Sequence, residues 1–217
     1  MPEILQNIIG LVLGYGYIGI VIYCAKFFNK YGEEASRKFI HIMLANWWII
    51  AMFLHTNAIW ASIGPVSFII INYLSYKKDL IKVMEREQKD GLGTVYYAIS
   101  LFLMVVYTFG IIHRPEVGLC ACFTMGYGDG LASVIGKKIK SKQYSIGDTT
   151  KSIAGTLTMF IVSLIIFGVF LICTNSSLGL LKALILAIIA TGVEAISIKG
   201  TDNLTVPIIT CLLLSII

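Results

Sequence analysis

One carboxylate stands among glycines in the segment GYGDGLASVIG, residues 126–136, at the end of a long apolar run. In a helix that turns about 100° per residue, Asp129 shares a face with the small residues Ala132, Ser133 and Gly136. Another backbone or a bulky ligand can therefore come close to this carboxylate. One interpretation is a close contact between two helices, in which Asp129 hydrogen-bonds to a neighbour. The other is a site for a hard cation such as Mg²⁺, which takes oxygen ligands and usually bridges to phosphate.

Two further acids lie where the chain is otherwise apolar. Glu194 falls inside an apolar run, and Asp202 stands at the start of the last one, directly before Asn203. Asp and Asn commonly cap the first turn of a helix, so capping is one explanation of Asp202 and Asn203. Capping does not explain Glu194, which lies eight residues before Asp202. An acid inside a membrane helix costs about 2.5–3.5 kcal/mol on insertion scales, so its presence needs another reason.

A cluster of cations and a histidine occurs in SRKFIH, residues 36–41. Arg37 and His41 are four residues apart and therefore share one helix face, with Lys38 beside them. A lone histidine is often structural. Together with two cations, however, His41 favours a site that binds phosphate or transfers a proton.

A second lysine cluster surrounds the segment GDTTKSIAGT, residues 147–156. It differs from a Walker A phosphate loop because the glycine before the lysine is missing and no strand is expected to precede it. We expect Lys151 and Ser152 at the start of a helix, whose unbonded N–H groups favour an anion. The alternative is a solvated loop that only sets the membrane topology. Three more lysines approach from the other side of the same loop, Lys137, Lys138 and Lys140.

The elements that position these residues are membrane helices. The 217-residue chain is 57% hydrophobic and only 13% charged, whereas a soluble domain carries about a quarter charged residues. A spanning helix needs roughly 20 apolar residues, and we predict an all-α, polytopic membrane bundle of about eight helices. Seven remain possible because the second and eighth runs are short. The predicted spans are 4–25, 39–54, 57–76, 94–112, 116–136, 152–173, 178–197 and 203–217.

Basic residues fall on alternate loops between these spans. Of the 17 lysines and arginines, only Arg114 and Lys182 lie elsewhere. The positive-inside rule therefore predicts that the basic loops are cytoplasmic and that both termini are outside. The three acids then fall near the cytoplasmic ends of their helices. The net charge of +5 reflects this topology and contact with the lipid bilayer, so no nucleic-acid partner is expected.

The chain is predicted to be one membrane-embedded catalytic domain, residues 1–217, since no internal repeat or linker divides it. Residues 77–93 are predicted to form a cytoplasmic amphipathic segment, and residues 137–151 a basic cytoplasmic loop. The first apolar run is expected to be a retained span, because no small-residue cleavage site follows it.

Four motifs taken in order resemble the polyprenol kinase group: SRKFIH, GDGLASVIGKK, KSIAGT, and EAIS followed by GTDNLTVP. This group includes phytol kinase, dolichol kinase and CTP-dependent diacylglycerol kinase, and it is related to the phosphatidate cytidylyltransferases. The resemblance covers residues 36–208 and is closest to the phytol kinase branch. Residues 137–145 depart from the family pattern, because no glycine follows their first basic pair.

The resemblance implies transfer of the γ-phosphate of a nucleoside triphosphate, usually CTP, to the hydroxyl of a membrane lipid alcohol. The alcohol would be a phytol- or polyprenol-type isoprenoid or diacylglycerol, and the active site would face the cytoplasm. Mg²⁺ would be held by Asp129, Glu194 and Asp202. The base candidates are Asp129, Asp202 and His41. The expected nucleotide- and phosphate-binding residues are Arg37, Lys38, Gly128, Gly130, Ser133, Lys137, Lys138, Lys151, Ser152 and Asn203.

Two other functions stay open at this point. A phosphatidate cytidylyltransferase would use the same kind of site to make CDP-diacylglycerol. A small transporter would also place polar residues inside spans, although transporters tend to hold their sites at the midplane between inverted repeats. The oligomeric state is also open, and a homodimer is one possibility.

Overall fold

Within residues 1–78 and 92–217, which the computed structural model describes, the chain forms ten α-helices and one β hairpin. A 3₁₀ segment, Lys26–Tyr31, follows α1, and π-helical segments follow α5 (Val106–Ile111) and α6 (Thr124–Asp129). The elements are α1 Glu3–Ala25, α2 Glu33–Leu44, α3 Trp47–Leu54, α4 Ala58–Lys78, α5 Gly93–Val105, α6 Pro115–Phe123, α7 Gly130–Lys138, β1 Gln143–Ile146, β2 Thr149–Ser152, α8 Ile153–Cys173, α9 Gly179–Ile196 and α10 Asp202–Ser215.

Seven helical segments of the described chain are long and apolar enough to cross a membrane, which confirms the all-α polytopic fold. The last predicted span forms α10, a shorter apolar helix of 14 residues. The second span begins at Glu33, six residues before the predicted start, because a charged turn continues the helix beyond the apolar run. Arg37 and Lys38 are therefore helical residues inside α2.

Small residues allow the helices to pack closely around one buried apolar cluster that draws on residues from α1 to α10. A Cβ atom on Gly118 would overlap the fully buried ring of Trp48. Between α7 and α8, a Cβ on Gly155 would lie 2.9 Å from the carbonyl oxygen of Ala132. The helix face of small residues that follows Asp129 therefore packs against α8 along part of its length.

The hairpin corrects the prediction that no strand precedes Lys151. Strands β1 and β2 pair antiparallel, with Gln143 opposite Ser152, and Gly147 lies in the turn at φ +53°. Lys151 is consequently the penultimate residue of a strand, and α8 begins only at Ile153. The predicted amphipathic segment 77–93 mostly lies outside the described residues; Lys77 and Lys78 end α4, and Gly93 begins α5.

Candidate active site

Asp129 is the last residue of the π-helical segment between α6 and α7, and it is 7% exposed. Its Oδ2 accepts a hydrogen bond from Lys38 Nζ at 2.9 Å and lies 3.3 Å from His41 Nε2. His41 Nε2 is also 3.3 Å from the carbonyl oxygen of Met125. Both neighbours of this nitrogen are acceptors, so Nε2 is the protonated nitrogen of the ring. One turn of α2 thus supplies both partners of the Asp129 carboxylate.

Glu194 lies in the last turn of α9 and is 6% exposed. Its Oε1 is 2.5 Å from Lys151 Nζ, which also donates to the backbone carbonyl of Glu194. The hairpin is what brings Lys151 to this position, because β2 ends directly at the cap of α8. The costly acid at Glu194 is therefore compensated by a lysine that approaches from outside the helical bundle.

The three acids converge on one point. Single carboxylate oxygens of Asp129, Glu194 and Asp202 all lie within 4.8 Å of one another. They come from the end of the π segment, the end of α9 and the start of α10. Three carboxylates this close repel one another, and a cation relieves that repulsion. A set made only of carboxylate oxygens suits a hard cation such as Mg²⁺.

A cavity of about 190 Å³ opens beside the acids. Its polar end is bordered by Thr149 of β2 and by Lys199 and Gly200 between α9 and α10. This end lies on the side of the bundle that carries the lysine-rich loops, which we call the basic side. Its inner end is apolar and lies among α1 to α5. Asp129 and Asp202 line its wall. The inner lining includes Ile18, Leu44, Trp47, Pro65, Phe68 and Leu101.

Several predicted phosphate-binding residues lie around this cavity. Arg37, Lys38, His41 and Asn203 line it. Arg37 is hydrogen-bonded to Glu34 on the same helix. Asn203 donates from Nδ2 to the carbonyl of Gly93 at 2.9 Å. Asn203 thus links α10 to the start of α5 at the polar end of the cavity.

The other predicted phosphate-binding residues do not line the cavity, and several of them have a role in packing or helix capping. A Cβ on Gly128 would lie 2.6 Å from Met159 Sδ, and one on Gly130 would overlap Ile42, so side chains fill the space that the sequence reserved for phosphate or lipid. Ser152 caps α8, accepting from the Gly155 N–H at 3.1 Å. The remaining three lie on α7: Ser133 is half-buried, Lys137 is 3.4 Å from Glu34, and Lys138 is exposed.

Sequence reasoning missed Asn72, which lines the cavity from α4. It is 5% exposed, and its Nδ2 donates to the Thr94 carbonyl at 3.0 Å. Its Oδ1 has no hydrogen-bond partner among the described residues. A polar residue in the apolar run of α4 was the available signal. Trp47 and Lys199 also line the cavity without having been predicted.

Similarity to known proteins agrees with the motif order. The phytol kinase of Synechocystis sp. is 31% identical over 214 residues, which is 95% of this chain and 91% of that protein. Phytol kinase 1 of Arabidopsis thaliana is 27% identical over 207 residues, 85% of this chain and 66% of that protein. A probable phytol kinase 1 of Oryza sativa subsp. japonica is 28% identical over 204 residues, 83% of this chain and 63% of that protein.

The chain therefore spans nearly all of the cyanobacterial relative and about two thirds of the plant ones. No protein-family model matches the chain. No solved structure matches it significantly. The resemblance carried by the four motifs is confirmed, and the chain belongs to the polyprenol kinase family that includes the phytol kinases.

Proposed function

We propose that this chain transfers the γ-phosphate of CTP to the hydroxyl of a lipid alcohol at the cytoplasmic face of a membrane. The alcohol is a phytol- or polyprenol-type isoprenoid or diacylglycerol. The observation that carries the proposal is the carboxylate triad with its two lysines. Asp129, Asp202 and Lys38 of this group line a cavity whose inner end is apolar. Phosphoryl transfer requires mainly positioning and neutralisation of charge, and both are provided here.

The donor set fits Mg²⁺. Asp129, Glu194 and Asp202 would hold the ion, since their oxygens converge within 4.8 Å and no nitrogen or sulfur ligand is among them. When bound, the ion would offset the negative charge of the nucleotide's phosphates. Asp129 and Glu194 are both buried, and Glu194 would anchor the site from α9.

Lys38 and Lys151 would have different partners before and after the nucleotide binds. Without nucleotide, Lys38 and Lys151 compensate the charges of Asp129 and Glu194. With nucleotide bound, the same ammonium groups lie close enough to the triad to neutralise phosphate oxygens, together with Arg37 on the cavity wall. Charge compensation is thus maintained in both states, which limits the cost of keeping three acids within a membrane protein.

The lipid alcohol would place its hydrocarbon chain at the apolar end of the cavity and its hydroxyl at the polar end. The hydroxyl oxygen attacks the γ-phosphorus, the bond from phosphorus to the β-γ bridging oxygen breaks, and CDP leaves. We assign the hydroxyl proton to Asp202. This residue lines the cavity and forms no ion pair with any described residue, whereas Asp129 is held by Lys38 and His41.

The fate of labelled CTP tests this proposal. Purified protein in lipid is incubated with Mg²⁺ and phytol, polyprenol, diacylglycerol or phosphatidate, using CTP labelled at either the α- or the γ-phosphate. We expect γ-label in the alcohol and its loss when EDTA removes the metal. Transfer of α-label to phosphatidate would instead identify a cytidylyltransferase. Absence of γ-label from every alcohol, whether CTP, ATP or UTP is the donor, would contradict the kinase proposal.

A further inference from the structure

Trp47 is the first residue of α3, directly after the interruption that separates α3 from α2. Its side chain is buried, and two glycines make room for it. A Cβ atom on Gly14 of α1 would lie 2.9 Å from Trp47 Nε1, and one on Gly64 of α4 would lie 3.2 Å from Cζ2. The indole is therefore fixed between α1 and α4 by a fit that a larger residue at either glycine would disturb.

The same ring borders two separate spaces. Trp47 lines the cavity of about 190 Å³ that also has Asp129 and Asp202 on its wall. Trp47 also lines a void of about 10 Å³ together with Gly10 and His55, and Ile18 and Gly64 line both spaces as well. The void lies toward the outer ends of α1 and α3, away from the basic side. The indole of Trp47 therefore forms part of the partition between the active-site cavity and this void.

The position of Trp47 determines how far the cavity extends from the acids. His41, beside Asp129, and Trp47 are six residues apart along α2 and α3. At 1.5 Å per residue this corresponds to about 9 Å along the helix direction. A hydrocarbon chain whose hydroxyl lies at the acids would meet the indole within that distance. Further carbon atoms must bend away from the ring.

We propose that Trp47 is the floor of the lipid-alcohol cavity and sets the enzyme's preference among isoprenoid chain lengths. This inference rests on the proposed function, because it takes the apolar end of the cavity as the acceptor site. Replacing the indole with a smaller side chain would join the cavity to the void bordered by His55 and deepen the acceptor site. Longer chains would then bury more apolar surface than they do in the native enzyme.

The test compares chain-length preference in Trp47→Leu and Trp47→Phe. Geraniol, farnesol and geranylgeraniol, which increase by one isoprene unit each, are assayed as acceptors of γ-label from CTP. For Trp47→Leu we expect the ratio of kcat/KM for geranylgeraniol over geraniol to rise by roughly tenfold, the effect of burying about two more methylene groups. Trp47→Phe should shift the ratio in the same direction by a smaller factor.

Trp48→Phe is the matched control. Trp48 is fully buried, packs against Gly118, and donates from Nε1 to the Pro115 carbonyl at 2.9 Å, but it does not line the cavity. We expect this variant to lose stability without changing the chain-length ratio. The Trp47→Phe variant retains an aromatic ring and keeps the test valid should Trp47→Leu fail to fold.

The outcomes separate the two proposals. If wild-type protein phosphorylates the alcohols but neither Trp47 variant changes the ratio, the role of Trp47 is wrong and the proposed function stands. An equal loss for all chain lengths in the Trp47 variants would also overturn that role, because it indicates structural support alone. If wild-type protein labels no alcohol at all, the proposed function fails and this inference fails with it.

Discussion

At the scale of single residues, two buried ion pairs hold the acids in place. Lys151 and Glu194 form one of these pairs, with 2.5 Å between Nζ and Oε1. Removing one partner of a buried pair leaves an uncompensated charge, whereas removing both with residues of similar volume is often nearly neutral. We therefore expect Lys151→Met to lower the free energy of unfolding by about 3 kcal/mol. Adding Glu194→Gln to the same chain should restore most of that loss but not the activity.

Denaturation in lipid–detergent micelles measures this cycle. Asp148→Asn is the control, because Asp148 pairs with Lys199 at 3.2 Å on the protein surface, where its side chain is 82% exposed. Exposed pairs contribute about 0–1 kcal/mol, so this variant should unfold close to wild type. A double variant that is no more stable than Lys151→Met would refute the assigned compensation.

Asp202 carries a second prediction at this scale. Asparagine keeps an oxygen that can hold a cation but cannot accept a proton at neutral pH. With Mg²⁺ raised until the variant is saturated, since an amide is a weaker cation ligand than a carboxylate, we expect Asp202→Asn to lower kcat by about 10²–10⁴-fold, the usual contribution of a general base. The KM for CTP should then change little. Steady-state kinetics with varied CTP measure both constants. An unchanged kcat would remove Asp202 as the base.

The sequence identified the charged members of the site better than the neutral ones. Asp129 and Glu194 were detectable because an acid within an apolar run is costly and needs a reason. Asn72 and Trp47 were not identified because a single amide or aromatic residue in a span is ordinary, and only the packing shows that both face the cavity. Gly128 and Gly130 were assigned to phosphate for their small size, but the structure uses that size for contacts with Met159 and Ile42.

At the scale of elements, the π-helical segment and α2 together position Lys38 and His41 against Asp129. The two elements touch at Gly126, where an added Cβ would lie 2.5 Å from Ala45 Cβ. Neither atom belongs to a flexible side chain, so Gly126→Ala must push the backbones apart. Overpacking of this kind costs about 1–3 kcal/mol. We expect that loss of stability, together with reduced activity because the Lys38–Asp129 contact lengthens.

Gly168→Ala is the matched control for this substitution. Gly168 lies within α8, and nothing lies within 4 Å of the position its Cβ would take. Alanine is also the better helix former, so Gly168→Ala should be neutral or slightly stabilising. Thermal unfolding in the same micelles compares the stability of Gly126→Ala with that of Gly168→Ala. Equal stability of the two would show that the contact at Gly126 is not tight.

The hairpin is the element that sequence reasoning did not find. Its strands have four residues each, and their residues are mostly polar. Four residues are too few for the alternation in β1 to be distinguished from a loop, and β2 has no apolar residue. The helices were predicted because runs of roughly 20 apolar residues have few other solutions in a membrane protein.

At the scale of the whole molecule, the acids and the lysine-rich loops lie at the same ends of the helices. The positive-inside rule would place this basic side in the cytoplasm, where CTP is available. We expect Ser177→Cys, between α8 and α9, to react with a membrane-impermeant maleimide in intact cells. Ser145→Cys, in the hairpin, should react only after permeabilisation. Both positions are exposed.

These variants require a background without reactive native thiols, so Cys24 and Cys173 are first replaced by serine. The other cysteines, at positions 120, 122 and 211, are buried. Labelling of Ser145→Cys in intact cells, with none at Ser177→Cys, would contradict the proposed orientation and place the nucleotide site outside.

The central claim is that the acids meeting at Asp129 form the site of phosphoryl transfer. The most direct measurement is the initial rate of γ-phosphate transfer from CTP to phytol by Asp129→Asn, beside wild-type protein and Asp148→Asn. Loss of preorganised electrostatic stabilisation costs about 10²–10³-fold, so we predict at least that decrease for Asp129→Asn and a near wild-type rate for Asp148→Asn. A wild-type rate in folded Asp129→Asn protein would contradict the account.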